Sequence, residues 1–265
     1  MSRRKSDALS VAGYAGAGII SLPIAFLLWY GFAVYHGFSE FTATVARSIE
    51  LTLLSTFLAT VVVFVLFTPL SYEISRRKNA VIDSIVDIPA SIPHPVVGIA
   101  ILLIGSPLTP IGRFLSSVGI NFFDTLLGLV VALAFVSAPI YIRSMVSVFS
   151  SIPRDPEEFA ETLGISRVKI LYRLLIPEHG RQILSSALTS MSRGISEFGS
   201  IAIVAFYIAG GPFNGAEASS VLVYQYYGYY GPGLAISVAA ILIVISLAIV
   251  VGIKLVRGRE YFWRD

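Results

Sequence analysis

The chain has 265 residues, of which 55% are apolar and 13% charged, with a formal charge of +3 and a mean hydropathy of +0.81. Soluble domains carry about 25% charged residues, so this composition excludes an ordinary water-soluble globule and defines an integral membrane protein. The absence of cysteine removes a disulfide framework and any thiolate metal site.

Arg3, Arg4 and Lys5 precede an apolar run from Ala8 to Tyr35. That run exceeds the roughly 7–15 residues of a signal-peptide core, so it is retained as a first span over about Val11 to Tyr35. A second span covers about Ile49 to Leu70, whose uncharged part meets the roughly 20 residues needed to cross the hydrocarbon. The basic cluster Arg76, Arg77 and Lys78 follows it. The third span, about Val81 to Ile104, begins with Asp83 and Asp87 and contains Pro89, Pro93 and Pro95. Its first half is expected to be kinked or non-helical, and such backbone survives at membrane depth only where protein or water satisfies it. A polar loop with Pro107, Pro110 and Arg113 leads to a fourth span, about Asp124 to Val148.

Residues 153–177 form the one long charged segment between apolar runs, and they read as two short helices around a turn. Asp155 is placed to cap, Pro156 to occupy the first helical position, and Glu158 stands three residues after the cap. Glu157 and Glu158 supply a negative first turn. Gly164 ends this helix. Ser166 is placed to cap the second, where Lys169 and Arg173 share one face, Ile170, Leu171, Leu174 and Leu175 the other, and Pro177 closes it. Read by itself the segment is an amphipathic cytoplasmic connector or a docking loop.

The fifth span, about Ile183 to Ile208, is the most polar. Ser192, Ser196 and Ser200 stand at four-residue spacing, a pattern shared by helix-packing stripes and pathway linings. Arg193 and Glu197 are one turn apart and are expected to pair; ionisable groups at this depth face a bundle interior or water. An internal ion pair that fixes the helix competes with direct substrate contact, and Arg193 is the better anion contact. Gly199 completes the candidate pathway residues Ser192, Arg193, Ser196, Glu197, Gly199 and Ser200. Tyr224, Tyr226, Tyr227, Tyr229 and Tyr230 follow, read as interfacial anchors or as a short external helix with Asn214 and Glu217 on its polar side. A sixth span covers about Pro232 to Val256, with a basic tail.

Fifteen of the flanking cations fall on the N-terminal side of this six-span arrangement, against Arg47 and Arg113 opposite. The positive-inside rule then makes both termini and the 153–177 loop cytoplasmic. His94, between Pro93 and Pro95, reads as hydrogen-bonded structure, with His36 and His179 too far along the chain to complete a metal site; no metal site and no catalytic set are expected.

Glu158, Ala160, the Thr-Leu-Gly run ending at Gly164, and Pro177 thirteen residues later resemble the EAA loop of ATP-binding-cassette importer permeases, with Phe159 where the pattern has its first alanine. The stretches Asp87 to Leu102 and Ile195 to Tyr207 resemble molybdate/tungstate permease subunits, with sulfate permeases as relatives. The resemblance implies a type I importer permease built of six transmembrane helices: a single domain over residues 1–265, carrying a cytoplasmic coupling loop at residues 153–177. It also implies a second copy of the chain, two cytoplasmic ATPase subunits, an external substrate-binding protein and a prokaryotic plasma membrane, with no nucleic acid partner. ATP belongs to the partner: no GxxxxGK[ST] motif is present, since none of Lys5, Lys78, Lys169 or Lys254 follows a glycine. Two alternatives are a permease for sulfate or another small solute and an ATP-independent secondary transporter; the latter is expected to show internal repeats, which the halves of this chain lack.

Overall fold

The computed structural model describes residues 8–36, 42–77 and 79–258, and among these residues it is entirely helical and irregular, without strands. Arg3, Arg4, Lys5, Lys78, Arg259 and Arg264 of the charge pattern lie outside the described residues. Among the described residues, four helices are long and apolar enough to cross a bilayer, or five if one sharply bent pair counts as a single span.

The first span is α1, Ala8–Trp29, continued by a π-helical turn, Tyr30–Val34. The second is α2, Ala43–Arg76, whose 34 residues run to about 50 Å at 1.5 Å per residue and so extend beyond a hydrocarbon core about 30 Å thick. Its buried threonines satisfy themselves locally: the hydroxyls of Thr52, Thr56 and Thr60 donate to the carbonyls four residues back, at 2.8, 2.6 and 2.7 Å. These three hydroxyls therefore sit in the bundle with their protons satisfied within their own helix.

The expected kink in the third stretch is a full break. α3, Ala80–Ser91, and α4, His94–Gly105, meet at 106°. Pro93 and Pro95 lack the amide protons that a continuous helix would need there. α3 is held by Arg143, which forks onto Asp87 at 2.9 and 2.7 Å and reaches Asp83 at 2.7 Å. A short helix, α5, Pro110–Ser117, occupies the following loop.

α6, Leu126–Ser151, is the centre of the bundle, with Leu129, Ala132, Tyr141, Met145 and Phe149 fully buried. It packs mainly on α2, where the hydroxyls of Thr68 and Tyr141 share a 2.7 Å hydrogen bond. After it come the loop helices α7, Asp155–Thr162, α8, Arg167–Ile170, a π turn Leu171–Leu175, and α9, Ile176–Glu178.

The fifth stretch departs most from expectation. Rather than one helix to Ile208, it is α10, Gly180–Ile195, an irregular break, and the single turn α11, Ile201–Val204. The four-residue row of Ser192, Ser196 and Ser200 therefore does not continue along one helix: Ser196 is the C-cap of α10 and Ser200 precedes α11. α12, Ser219–Tyr230, carries the tyrosines, and α13, Pro232–Gly258, is the last apolar helix. Asn214 and Glu217 precede α12 instead of lying on its polar side. Asn214 closes the preceding loop by accepting from the Gly210 amide at 2.7 Å.

Candidate functional site

Two features stand out, one at the end of α2 and one where the two broken stretches meet. The first is the loop between α6 and α10. Its entry is shifted by one residue from expectation: Arg154 is the N-cap of α7, without a side-chain bond, and Asp155 is the first helical residue. Asp155 therefore does not cap. Gly164 does end α7, at φ +77, in a Schellman turn: the Ile165 amide donates to the Ala160 carbonyl at 3.1 Å and the Gly164 amide to the Glu161 carbonyl at 2.9 Å.

Ser166 stands at the N-cap of α8 but makes no side-chain bond. Pro177 does not close the second helix, which runs on to Glu178. The π turn makes room for it: the Ile176 amide bonds back to Leu171, five residues earlier, and the wider turn relieves the clash a proline ring makes with the carbonyl four residues before it.

Glu157, read from sequence as part of a negative first turn, is 5% exposed. Its carboxylate accepts from the Tyr72 hydroxyl at 2.6 Å and from Arg76 Nε at 3.2 Å, and pairs with Arg76 Nη2. Arg76 also donates to the Phe149 carbonyl at 2.7 Å, and Arg154 donates to the Arg76 carbonyl at 3.0 Å. The loop is thereby clasped to the ends of α2 and α6. Glu158, Gly164 and Pro177 are exposed and Ala160 is buried, so the four expected coupling residues form an outer edge over an apolar floor. Beside that floor is a cleft of about 600 Å³ between Phe159, Leu163, Ile165 and Leu174, with Lys169 and Arg173 at its rim. Arg167 is held by Glu161 at 2.8 Å, an interaction that raises its pKa above the usual arginine range.

The second feature joins α4 to the break after α10. Gly98 lies so close that a Cβ there would stand 2.7 Å from the Ser200 carbonyl oxygen, and one on Gly199 would stand 3.0 Å from the Pro95 ring. Glu197, 1% exposed, sits at this crossing. Oε1 accepts from the Ser200 amide and hydroxyl, both at 2.9 Å. Oε2 accepts from Arg193 at 3.0 Å, the expected pair, and stands 2.8 Å from His94 Nδ1, while Arg193 Nη2 lies 2.9 and 3.0 Å from the two ring nitrogens of His94. Arg193 also approaches the Ser196 hydroxyl at 3.3 Å, whereas the Ser192 hydroxyl is buried without a partner. Ser220 of α12 donates to the Glu197 carbonyl at 2.6 Å, and the Tyr224 ring stacks at 5.0 Å from Phe198. The structure thus brings Arg193, Ser196, Glu197, Gly199 and Ser200 together and adds His94, 103 positions before Glu197 in the chain.

On the outer side, by the orientation read from sequence, a cleft of about 600 Å³ is bordered by Arg47, Asn214, Glu217, Gln225 and Tyr230. Burial raises the Glu217 carboxyl above its ordinary pKa, an effect that its 2.7 Å bond from Gln225 partly offsets. Among the described residues no cluster of three or more His, Asp or Glu side chains is arranged to hold a metal.

A multi-pass helical membrane protein with broken helices at its centre and a clasped loop at one end has the build of a transporter subunit. The chain belongs to the family of binding-protein-dependent transport system inner membrane components, whose pattern matches residues 70–256; it is an ATP-binding-cassette importer permease, a transport component and not an enzyme. It is 33% identical over 205 residues to a molybdate/tungstate transport system permease protein of Pyrococcus abyssi, covering 76% of this chain and 74% of that one. A sulfate transport system permease protein of Synechocystis sp. is 28% identical over 251 residues, 92% of this chain and 86% of that one. Among solved structures, the fold matches a chain of a bacterial alginate ABC transporter in complex with an alginate pentasaccharide-bound periplasmic protein, with TM-score 0.70, 20% identity and coverage of 97% and 96%. A chain of the methionine ABC transporter MetNI, in inward-facing conformations, matches with TM-score 0.58 at 21% identity, covering 81% of this chain and 95% of that one.

Proposed function

We propose that this chain is the pathway-forming permease of an ATP-driven importer for a tetrahedral oxyanion of the molybdate/tungstate type. It works as a pair of identical copies with two cytoplasmic ATPase subunits and an external binding protein. Six membrane crossings, with the bent pair α3–α4 and the broken stretch α10–α11 each counted as one, put both termini and the 153–177 loop in the cytoplasm. The distribution of arginine and lysine supports that orientation. Glu158, Ala160, Gly164 and Pro177 meet the ATPase; Ser192, Arg193, Ser196, Glu197, Gly199 and Ser200 belong to the pathway.

The observation that carries the coupling role is the clasp of Glu157 to Arg76, Tyr72 and, through Arg76, the α6 end. A load applied to the exposed edge of α7 passes directly into two spans instead of being absorbed by a slack loop. The oxyanion assignment is supported by the names of relatives 31–33% identical to this chain. Sulfate is the second reading, favoured by a relative that aligns with a larger share of the chain. The test is ATP-driven uptake of labelled tungstate into proteoliposomes containing the full assembly, with molybdate and sulfate as competitors. Competition by molybdate but not sulfate at equal concentration supports the first reading, and the reverse supports the second.

A further inference from the structure

Of the residues that line the outer cleft, only Arg47 and Glu217 are charged. They enter it from different elements, Arg47 from the start of α2 and Glu217 from the loop before α12, and among the described residues they do not pair with each other. Arg47 spends one Nη2 donor on the Pro212 carbonyl, out of the five N–H groups of a guanidinium. The Glu217 carboxylate accepts from Gln225 at 2.7 Å, and its Oε2 is buried without a partner. An acceptor left in that state is unfavourable. The last torsion of a glutamate is broad, so the oxygen turns toward a donor entering the cleft at little cost.

The walls of the cleft are fixed by other bonds. Ser48 donates to the Glu217 carbonyl at 2.7 Å, and the Ser219 amide donates to the Thr52 hydroxyl at 2.8 Å. The cleft is therefore preformed, as ligand sites usually are, while its two charged ends are spare. Its depth follows from α2. The uncharged stretch of that helix begins at Leu51, so at 1.5 Å per residue Arg47 stands about 6 Å outside the hydrocarbon. The headgroup layer is about 5–7 Å thick on each side. Tyr229 and Tyr230, exposed on the border of the cleft, are side chains that favour the same level.

We propose that this cleft seats a zwitterionic phospholipid headgroup with a primary ammonium, of the phosphatidylethanolamine type, in which Arg47 takes the phosphodiester and Glu217 the ammonium. The site goes beyond the importer reading and requires no particular cargo. One charge of each sign in the lining matches a headgroup that carries one of each. An anionic headgroup, or an oxyanion on its way in, would answer Arg47 and leave Glu217 facing a like charge. A quaternary ammonium would bring the cation but no N–H for Oε2. Seated in this way, the headgroup bridges the start of α2 to the loop before α12.

The test is native mass spectrometry of the full chain, delipidated in detergent and then titrated separately with phosphatidylethanolamine, phosphatidylcholine and phosphatidylglycerol of the same acyl chains. Wild type is expected to retain phosphatidylethanolamine several-fold better than either of the others. Arg47→Gln and Glu217→Gln each remove one charge and are each expected to lose that preference. Equal retention of the three lipids by wild type overturns the inference, and so does a wild-type preference that survives in both variants. Should Glu217→Gln fail to fold, wild type and Arg47→Gln, whose side chain is exposed, decide by the same criteria. Glycerophosphoethanolamine, the same headgroup without acyl chains, separates a lipid from a soluble ligand: retention equal to that of the lipid overturns the lipid assignment. Absence of headgroup preference in wild type, together with loss of binding-protein-stimulated ATP hydrolysis in both variants, gives the cleft to the external binding protein and overturns it as well.

Discussion

Arg76 and Glu157, 81 residues apart, form a two-pronged ion pair with side chains only 9% and 6% exposed. Taking two such charges out of water is costly, and the pair is kept favourable by the added bonds from Tyr72 and to Phe149. Its consequence is mechanical, since it ties α7 to α2 beside the edge proposed to meet the ATPase.

Removing one partner should therefore do more harm than removing both. Glu157→Ala is expected to destabilise the protein by about 3 kcal/mol, the penalty of a buried unpaired charge, while Glu157→Ala combined with Arg76→Met recovers part of that loss. Thermal unfolding of the detergent-solubilised variants measures this. A single variant as stable as wild type would contradict the clasp. The exposed neighbour Glu158→Ala should leave stability within about 0.5 kcal/mol while lowering ATP-driven uptake.

Gly164 separates backbone strain from crowding. Nothing lies within 4 Å of a Cβ placed there, but its φ is +77. Gly164→Ala is expected to cost about 1–2 kcal/mol through the left-handed backbone alone, and Gly164→Asn less. Gly164→Pro, which cannot adopt that φ and removes the amide bonded to Glu161, should abolish uptake while ATP hydrolysis by the assembly persists. Uptake at the wild-type rate in Gly164→Pro would show that this loop does not couple.

Gly98 tests the crossing of the broken stretches. An alanine Cβ would stand 2.7 Å from the Ser200 carbonyl and 2.8 Å from the Ile203 side chain. The clash is with backbone, which cannot swing aside, so Gly98→Ala should cost about 1–3 kcal/mol and reduce transport. Gly228→Ala, with open space around it, serves as the comparison and should do neither.

The outer cleft has a pH dependence with a definite sign. Burial raises the Glu217 carboxyl in the folded chain, so its contribution to stability is fully present below the ordinary glutamate value of about 4.3 and is lost as pH rises through the raised folded value. Hydrogen exchange across residues 210–218 should therefore be slower in acid than at neutral pH after correction for the intrinsic rate. Glu217→Gln, a neutral mimic, should remove the difference; an unchanged difference in that variant would assign the effect elsewhere.

Much of this architecture was legible from local rules. The apolar runs located α1, α2, α6 and α13, and Gly164 located the loop turn, because burial period and left-handed backbone are properties of neighbouring residues. Pro93 and Pro95 announced a break, though not its 106° angle or the pinning of α3 by Arg143 from another helix. The break after Ile195 was hidden. Ser196 to Ser200 contains no proline, and Glu197 there accepts the Ser200 amide three residues ahead, at the start of α11, a bond between side chain and backbone that serine and glutamate spacing does not reveal. Glu157 and His94 were missed as site residues for a different reason: each is defined by a partner about 80 or 100 positions away.

In the proposed function, ATP hydrolysis on a partner drives oxyanion movement through this chain. The most direct test is labelled tungstate uptake into proteoliposomes of the assembled permease, ATPase and binding protein, with and without ATP inside the cytoplasmic-face compartment. Saturable uptake that requires ATP and falls in Gly164→Pro and Glu158→Ala is the expected result. Uptake by the chain alone, driven by an ion gradient and indifferent to both substitutions, would contradict it.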